Sequence, residues 1–148
     1  MITLDQNAAI NLLLVEDDPG DVLMTREALS EAKVVHNLHV VDNGEAALAF
    51  LRQEAPYEDA PRPDLIFLDL NLPRLDGREV LATVKSDPAL RRIPLVILTT
   101  SNSDDDILHS YDLHANAYVT KPVDLASFLE AVRQVDNFFL TVAQLPPS

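Results

Sequence analysis

Acidic, hydroxyl and ammonium side chains follow four short apolar runs in this chain of 148 residues. Continuous apolar runs are typical of strands buried on both faces, and the carboxyl ends of parallel strands form the edge of a sheet where ligands bind. Carboxylates gathered there repel one another unless a cation joins them, and Mg²⁺ prefers oxygen ligands. The pattern therefore predicts phosphoryl chemistry with an aspartate as acceptor. The residues that end the four runs are Glu16 with Asp17, Asp69, Thr99 and Lys121.

Composition excludes several classes of function. The net charge of -13 argues against nucleic-acid binding, which needs clustered Lys and Arg. The absence of cysteine excludes disulfides and thiol catalysis, and it fits a cytoplasmic location. The N-terminus lacks the basic region and apolar run of a signal peptide. No apolar stretch approaches the ~20 residues needed to span a bilayer, so we expect no membrane segment.

Strand and helix patterns alternate five times along the chain. This alternation predicts an α/β fold with a parallel sheet, helices on both faces and right-handed crossovers. The predicted strands are Leu12–Val15, Leu38–Val41, Leu65–Leu68, Leu95–Leu98 and Ala117–Thr120. The predicted helices begin at Asp21 and then cover Glu45–Gln53, Asp76–Val84, residues 103–114 and residues 125–142.

The segment 54–63 interrupts this rhythm. It holds three prolines and several charged residues, which predicts a loop. Because loops accept extra length at little cost, the favoured interpretation is a tolerated surface insertion.

The motifs and their spacing resemble the receiver domain of two-component response regulators. Thirty positions separate Asp69 from Thr99, and 22 separate Thr99 from Lys121, as in that family. The resemblance covers roughly residues 10–136, and a closer one, to single-domain regulators paired with phytochrome-type histidine kinases, includes the segments 62–66 and 137–140. The matching motifs are Leu14-Val15-Glu16-Asp17-Asp18, Leu68-Asp69-Leu70-Asn71-Leu72-Pro73 with Asp76-Gly77, Leu98-Thr99-Thr100, and Tyr118-Val119-Thr120-Lys121-Pro122.

The resemblance implies a five-stranded, doubly wound parallel sheet of the flavodoxin-like (receiver) type. The expected layout is an N-terminal lead-in over 1–10, the receiver domain over 11–136, and an extension of the last helix with a tail over 137–148.

The resemblance also assigns roles at the acidic pocket. Asp69 is the implied phosphoacceptor, since a carboxylate can form an acyl phosphate. The implied ligands of Mg²⁺ (or Mn²⁺) are Glu16, Asp17, Asp69 and the main-chain carbonyl of Asn71.

Three further residues are implied to bind the phosphoryl group or respond to it. The Thr99 hydroxyl would donate to the phosphoryl group. Lys121, aimed by a cis bond to Pro122, would pair first with Asp69 and then with the phosphoryl oxygen. Tyr118 holds the position of the family's switch aromatic, although a static, half-buried ring remains an alternative.

Other acids and the histidines favour ordinary structural roles. Asp18 and Asp21 are expected mainly to cap and solvate a helix. The four histidines match no standard zinc spacing, so surface or strand-edge positions are expected for His36, His39, His109 and His114.

The leading functional hypothesis is a phosphorylated signalling switch rather than a stand-alone enzyme. A sensor histidine kinase, of the phytochrome type on the closer resemblance, would supply the phosphoryl group. Output would pass to a downstream protein or a phosphotransfer protein, because no DNA-binding module is apparent after the domain. One alternative is a Mg²⁺-dependent phosphohydrolase of the haloacid-dehalogenase type, although Asn71 stands where such enzymes need an aspartate. Another is a pseudo-receiver that only binds partners.

The C-terminal segment carries more apolar residues than the domain needs. An exposed apolar cluster of this kind usually marks a contact surface, so we expect a homodimer. The alternative is that the segment folds back over its own sheet. The residues expected at the interface are Val135, Phe138, Phe139 and Val142.

Overall fold

The computed structural model describes residues 9–32, 36–70, 72–99, 117–120 and 126, without the side chains of Thr99, Ala117, Tyr118 and Thr120. Strands and helices alternate over these residues as predicted. The predicted helix over 103–114 lies outside this part of the chain, as does the one over 125–142 apart from residue 126. The strands are β1 (Ile10–Val15), β2 (His36–Val41), β3 (Leu65–Asp69), β4 (Leu95–Thr99) and β5 (Ala117–Thr120). The helices are α1 (Pro19–Glu31), α2 (Gly44–Leu51) and α3 (Gly77–Ser86).

The strands form one parallel sheet in the order β2-β1-β3-β4-β5. After β1 the chain adds β2 on one side, and it then returns to add β3 on the other side. The order therefore reverses between β1 and β3, which are neighbours in the sheet. In open α/β sheets, ligands bind outside the carboxyl ends of the strands at such a switch point.

Apolar side chains cover both faces of the sheet, which confirms the predicted α/β arrangement. Alternate residues of a strand point to opposite faces. In β1, Leu13 and Val15 pack with residues of α2 and α3, whereas Leu12 and Leu14 pack with residues of α1. Leu12–Val15 of β1 and all of β3 are buried, so the acids that follow or end these strands stand out from an apolar sheet.

The first helix begins two residues earlier than predicted. Pro19 occupies its first turn, where a missing N–H costs nothing, and the side chain of Asp18 accepts a hydrogen bond of 2.8 Å from the Gly20 amide. Pro19 and Gly20 therefore belong to this helix, whereas the predicted start at Asp21 placed them before it. The capping role expected for Asp18 is confirmed.

The ends of most other elements also differ from the predicted bounds by one or two residues. The strand β1 already includes Ile10, which the sequence analysis placed in the lead-in. The helix α2 ends at Leu51 instead of Gln53, because Gln53 adopts a left-handed backbone conformation with φ of 55°.

The loop over 54–63 lies on the surface, as expected, but it also packs against the protein. The Tyr57 ring lies 5.5 Å from the Phe50 ring between centroids, and Tyr57 and Ala60 both contact the core cluster beneath α2 and α3. Gln53 holds the loop by donating a hydrogen bond of 2.7 Å from Nε2 to the Ala60 carbonyl. The loop is therefore an ordered cover over one end of α2.

None of the helices in the described part of the chain has the length and apolar character needed to cross a membrane.

Candidate metal and phosphoacceptor site

Two buried carboxylates lie side by side at the carboxyl edge of the sheet. In the register of β1 with β3, Val15 stands opposite Leu68, so the next residues along the two strands are Glu16 and Asp69. The Glu16 amide donates a hydrogen bond of 2.9 Å to the Val41 carbonyl, which ties this position to the end of β2. Backbone pairing alone therefore brings these two acids together at the switch point.

A third carboxylate completes an acidic cluster. Glu16, Asp17 and Asp69 each place a carboxylate oxygen within 4.8 Å of the others. Glu16 and Asp69 are 1% and 3% exposed, whereas Asp17 faces solvent. The cluster thus combines two buried acids with one acid that a ligand can reach from outside.

The donor set of this cluster fits a hard divalent cation. Buried carboxylates are costly unless they are hydrogen-bonded or coordinate a metal, and three of them at this separation repel one another. One contact relieves part of this cost, since the Asp18 amide lies 3.2 Å from Glu16 Oε2. An all-oxygen set without nitrogen or sulfur suits Mg²⁺ or Mn²⁺. The structure therefore supports a divalent metal site at these residues.

Close contacts between backbones hold the end of β3 in place. The Leu70 amide donates to the Leu98 carbonyl at 3.2 Å, and the Gly77 amide donates to the Leu70 carbonyl at 3.1 Å. Gly77 opens α3, and a Cβ at this position would collide with the Asp69 carbonyl oxygen and lie 2.6 Å from Leu70 Cα. The absent side chain thus lets the start of α3 press against the residues that carry the acidic pocket.

A close backbone contact of the same kind joins the loop between β3 and α3 to the start of α2. A Cβ on Gly44 would collide with the Leu75 carbonyl oxygen and lie 2.8 Å from Leu75 Cβ. Asp76 caps α3 by accepting a hydrogen bond of 2.7 Å from the Arg78 amide. Arg74 takes a left-handed conformation with φ of 64° and forms an ion pair of 3.6 Å with Glu45.

The remaining predicted site residues are placed only in part. Thr99 ends β4, one residue beyond the Asp69–Leu98 pairing, so its backbone lies at the same edge of the sheet as the acids. In β5, Tyr118 pairs with Ile97 and Thr120 pairs with Thr99. The side chains of Thr99 and Tyr118, as well as Asn71, Lys121 and the Lys121-Pro122 bond, lie outside the described residues.

The histidines of β2 lie at the border of the sheet, as expected for structural roles. His39 Nε2 lies 3.3 Å from Asn11 Oδ1, and its ring is 5.4 Å from the Phe50 ring. Neither His36 nor His39 joins the acidic cluster. His109, His114 and the expected interface residues Val135, Phe138, Phe139 and Val142 fall outside the described part of the chain.

Sequence reasoning missed the residues that support the site from behind. Gly77 must lack a side chain because it touches Asp69, and Gly44 must lack one because it touches Leu75. Neither contact lies within the helix that the glycine begins. The only local signal was the position of each glycine directly after a helix-capping residue, Asp76 or Asn43. That signal predicts a helix start but not a close approach to another backbone.

Comparison with known proteins supplies the family. The family described as the response regulator receiver domain matches residues 12–133, which is most of the chain. The chain belongs to this family. The acidic cluster is therefore the acidic pocket of a receiver domain, at the end of its first and third strands.

One relative of this receiver domain is a response regulator that the match covers almost completely. The response regulator Rcp1 of Synechocystis sp. is 47% identical over 135 residues, which span 91% of this chain and 92% of Rcp1. The structure of its Mn²⁺-bound form covers 93% of this chain and 99% of its own, with a TM-score of 0.77.

Two further solved structures similar to this receiver domain are phytochrome response regulators by name. The phosphorylated cyanobacterial phytochrome response regulator RcpA is 48% identical, with a TM-score of 0.76, and the match covers 95% of this chain and 100% of RcpA. The bacteriophytochrome response regulator RtBRR is 39% identical, with a TM-score of 0.83, and covers 95% of this chain and 86% of its own. These relatives identify a response regulator rather than a hydrolase of the haloacid-dehalogenase type.

Proposed function

We propose that this chain is a single-domain response regulator that accepts a phosphoryl group on Asp69 from a sensor histidine kinase. The observation that carries the proposal is the cluster of Glu16, Asp17 and Asp69 at the switch point of the sheet. Asp69 is the acid of this cluster that ends the central strand β3, where it pairs with Leu98 of β4 and its carbonyl lies against Gly77 at the start of α3. Such positioning suits a nucleophile that must meet a phosphorus atom in line.

The transfer exchanges one phosphorus bond for another. A carboxylate oxygen of Asp69 attacks the phosphorus of a phosphohistidine on the kinase. The P–N bond breaks as the O–P bond forms, the electron pair of the broken bond returns to the imidazole nitrogen, and a proton on the other ring nitrogen keeps the departing imidazole neutral. The product on this chain is an acyl phosphate, and the kinase regains a neutral histidine.

We propose Mg²⁺, or Mn²⁺, as the cation of the site. Its ligands would be Glu16, directly or through water, with Asp17, Asp69 and the main-chain carbonyl of Asn71. When bound, the cation supplies positive charge that lets an anionic phosphoryl group approach three carboxylates. The exposed Asp17 leaves one side of the cluster open to solvent, so the phosphoryl donor can enter there.

Thr99, Lys121 and Tyr118 complete the proposal. The Thr99 hydroxyl would donate to a phosphoryl oxygen, and the Lys121 ammonium would pair with Asp69 before transfer and with the phosphoryl group afterwards. The backbone register supports this placement, because Thr99 pairs with Thr120, the residue before Lys121. Tyr118 would change its packing as Thr99 moves toward the phosphoryl group.

The partners are proposed from the relatives and from the apolar C-terminal segment. We propose a phytochrome-type histidine kinase as phosphoryl donor, a downstream protein or phosphotransfer protein as recipient of the signal, and a cytoplasmic location. The proposed layout is a doubly wound, flavodoxin-like receiver domain over 11–136, preceded by a lead-in and followed by an extension that pairs two copies.

Phosphorylation with acetyl phosphate and Mg²⁺ tests the proposal directly. The intact mass of the wild type should rise by one phosphate, and Asp69→Asn should abolish this rise because the amide is not a nucleophile. Asp64→Asn is the matched control, since Asp64 precedes the same strand at its opposite end and bonds the Asn11 amide. Removal of the metal with a chelator should also abolish the adduct.

The other outcomes identify the rival functions. Phosphate release without an adduct would indicate a phosphohydrolase. No adduct and no turnover would indicate a pseudo-receiver. Labelling of Asp69→Asn at the level of the wild type would show that another residue is the acceptor.

A further inference from the structure

A groove with a volume of about 390 Å³ lies between β2 and the loop over 54–63, and the acidic pocket is not part of it. We call it the loop groove, because the loop over 54–63 forms one wall and consecutive residues of β2 form the other. Its lining includes His39, Val40, Val41, Phe50, Tyr57 and Asp59. Nothing in the proposed phosphoryl transfer uses this groove.

The β2 wall of the loop groove is the edge of the sheet. His39 and Val41 point to one face of β2 and Val40 points to the other, and all three line the groove, which indicates that it follows the strand edge. Within the described residues, β2 is the terminal strand and pairs only with β1. An edge strand presents backbone N–H and C=O groups on which another extended segment can pair. The groove therefore lies beside a row of backbone groups suited to an added strand.

The side chains of the groove favour a cationic guest. The nearly buried Phe50 ring contacts the rings of both His39 and Tyr57, with centroids 5.4 and 5.5 Å away, and so holds these partly exposed rings in place. An arginine guanidinium or a lysine ammonium stacks favourably on the face of a tyrosine ring. Asp59 adds a carboxylate at the lip, and no lysine or arginine lines the groove.

The loop over 54–63, which forms one wall of the groove, carries three acids and one base. The exposed acids Glu54 and Glu58 belong to the same loop as Asp59. Arg62 follows the groove residues in the sequence. Its guanidinium donates an N–H hydrogen bond of 2.7 Å to the Ala89 carbonyl, so the side chain is turned toward the segment before β4. An acidic wall beside an open strand edge attracts a basic segment and disfavours an acidic one.

We propose that the loop groove binds an extended, basic segment of a partner protein. The segment pairs its backbone along the outer edge of β2, and one arginine or lysine side chain lies between the Tyr57 ring and the Asp59 carboxylate. This docking surface is separate from the phosphoryl site and does not depend on phosphorylation of Asp69.

Fluorescence anisotropy with a labelled Val-Arg-Val-Arg-Val peptide tests the proposal on the full chain. Two matched peptides separate its two parts. A peptide with citrulline in place of arginine keeps the shape but removes the charge, and a peptide methylated on alternate backbone nitrogens keeps the charge but cannot pair as a strand. The arginine peptide should bind, and both matched peptides should bind at least severalfold more weakly.

Variants of the chain locate the binding site. Tyr57→Leu keeps an apolar contact with Phe50 but removes the stacking face, and it should weaken binding about two- to fivefold. Asp59→Asn should weaken binding by up to about fivefold. Glu31→Gln, at the end of α1 and away from the groove, makes the same change in net charge and should leave binding unchanged. Because Asp59 is exposed, its substitution does not endanger folding.

Amide chemical shifts decide where the peptide binds. On addition of the arginine peptide, shifts should concentrate in residues 38–42 and 56–61. Shifts centred on Glu16, Asp17 and Asp69 would overturn the proposal, since they would place the basic peptide at the acidic pocket. Equal binding of the citrulline peptide, equal weakening by Glu31→Gln, or dilution-dependent pairing of two copies through β2 would overturn it as well.

Discussion

At the scale of single residues, the site depends on three acids with different surroundings. Glu16 and Asp69 are buried by the sheet and its helices, whereas Asp17 is exposed. Two carboxylates at about 5 Å repel each other by roughly 3 kcal/mol at an effective dielectric constant of 20. A bound cation would offset this repulsion. The neighbouring Asp18 is exposed as well, but its carboxylate is occupied with the α1 cap. Neighbours of the same residue type therefore have different roles.

Metal affinity should distinguish Asp17 from Asp18. Asp17→Asn removes a charge from the cluster and should weaken Mg²⁺ binding at least tenfold, as measured by titration calorimetry. Asp18→Asn removes the same charge one position away, yet its amide oxygen can still cap α1. This control should bind Mg²⁺ within about twofold of the wild type. A larger loss for Asp18→Asn than for Asp17→Asn would place the ligand one residue later.

At the scale of secondary structure elements, close packing rather than surface charge positions the site. The ion pair of Arg74 with Glu45 joins side chains that are 67% and 65% exposed, so it contributes only about 0–1 kcal/mol. In contrast, the start of α3 touches the backbone of Asp69 and Leu70 where Gly77 has no side chain. Overfilling a packed contact of this kind costs about 1–3 kcal/mol. The helix–strand contact therefore dominates over the ion pair.

Gly77→Ala should reduce both stability and metal affinity. The added methyl group must displace α3 or the end of β3, and we expect a loss of about 1–3 kcal/mol in the free energy of unfolding, measured with urea. Gly20→Ala is the matched control, because a Cβ there meets only Asp18 Oδ1, at 3.3 Å. This control should change stability by less than about 1 kcal/mol. Equal stability of the two variants would contradict the close approach.

Lys85 joins the end of α3 to the segment before β4. Its Nζ donates to the carbonyls of Arg91 at 3.2 Å and Ile93 at 3.0 Å, and burial lowers the pKa of this ammonium below its usual 10.5. Between the lowered pKa and 10.5, the folded chain releases this proton while the unfolded chain still holds it. The unfolded state therefore binds more protons in this interval, and the contribution of Lys85 to stability rises with pH there.

A comparison with Lys85→Arg tests this pH dependence. The guanidinium stays charged throughout, so the variant lacks the rise. The difference in free energy of unfolding, wild type minus variant, should be constant at neutral pH and increase as the pH approaches 10.5. Urea unfolding from about pH 8 to about pH 11 measures it. A constant difference over the whole range would show that Lys85 keeps its ordinary pKa.

At the scale of the whole molecule, the acidic pocket and the proposed pairing surface lie in different parts of the sequence. The pocket is built from β1 and β3, whereas the apolar residues expected to pair two copies follow position 134. A homodimer through this segment would bury Phe138 and Phe139 against the partner copy, for which a twofold arrangement is the common solution.

Light scattering on the full chain and on a form ending at Asp136 tests the pairing. The full chain should have the mass of a dimer and the shortened form the mass of a monomer, because truncation removes the phenylalanines. The family match ends at residue 133, so the shortened form keeps all the matched residues. Two monomeric species, or two equally dimeric ones, would show that this segment is not the interface.

The order of the elements and the main acids of the site could be predicted because their signals are local. The buried run of Leu12–Val15 and the run of Leu65–Leu68 indicate strands by their own composition, and polar residues directly after them must lie at one edge of a parallel sheet. Glu16, Asp17 and Asp69 followed from this argument, and the cluster confirms their proximity. The start of α1 was misplaced because Pro19 can either precede a helix or open it.

Tertiary structure alone decided which distant residues touch. The sequence identifies Gly77 as the residue after a cap, but only the packed chain shows that a side chain there would collide with Asp69. Tyr57 belongs to a loop rich in proline and charged residues. Its contact with Phe50 helps to form a groove that the pattern of apolar residues in the sequence does not predict. The physical reason is that strand and helix preferences arise from neighbours in the chain, whereas close approaches and grooves arise from the way separate elements fill the same space.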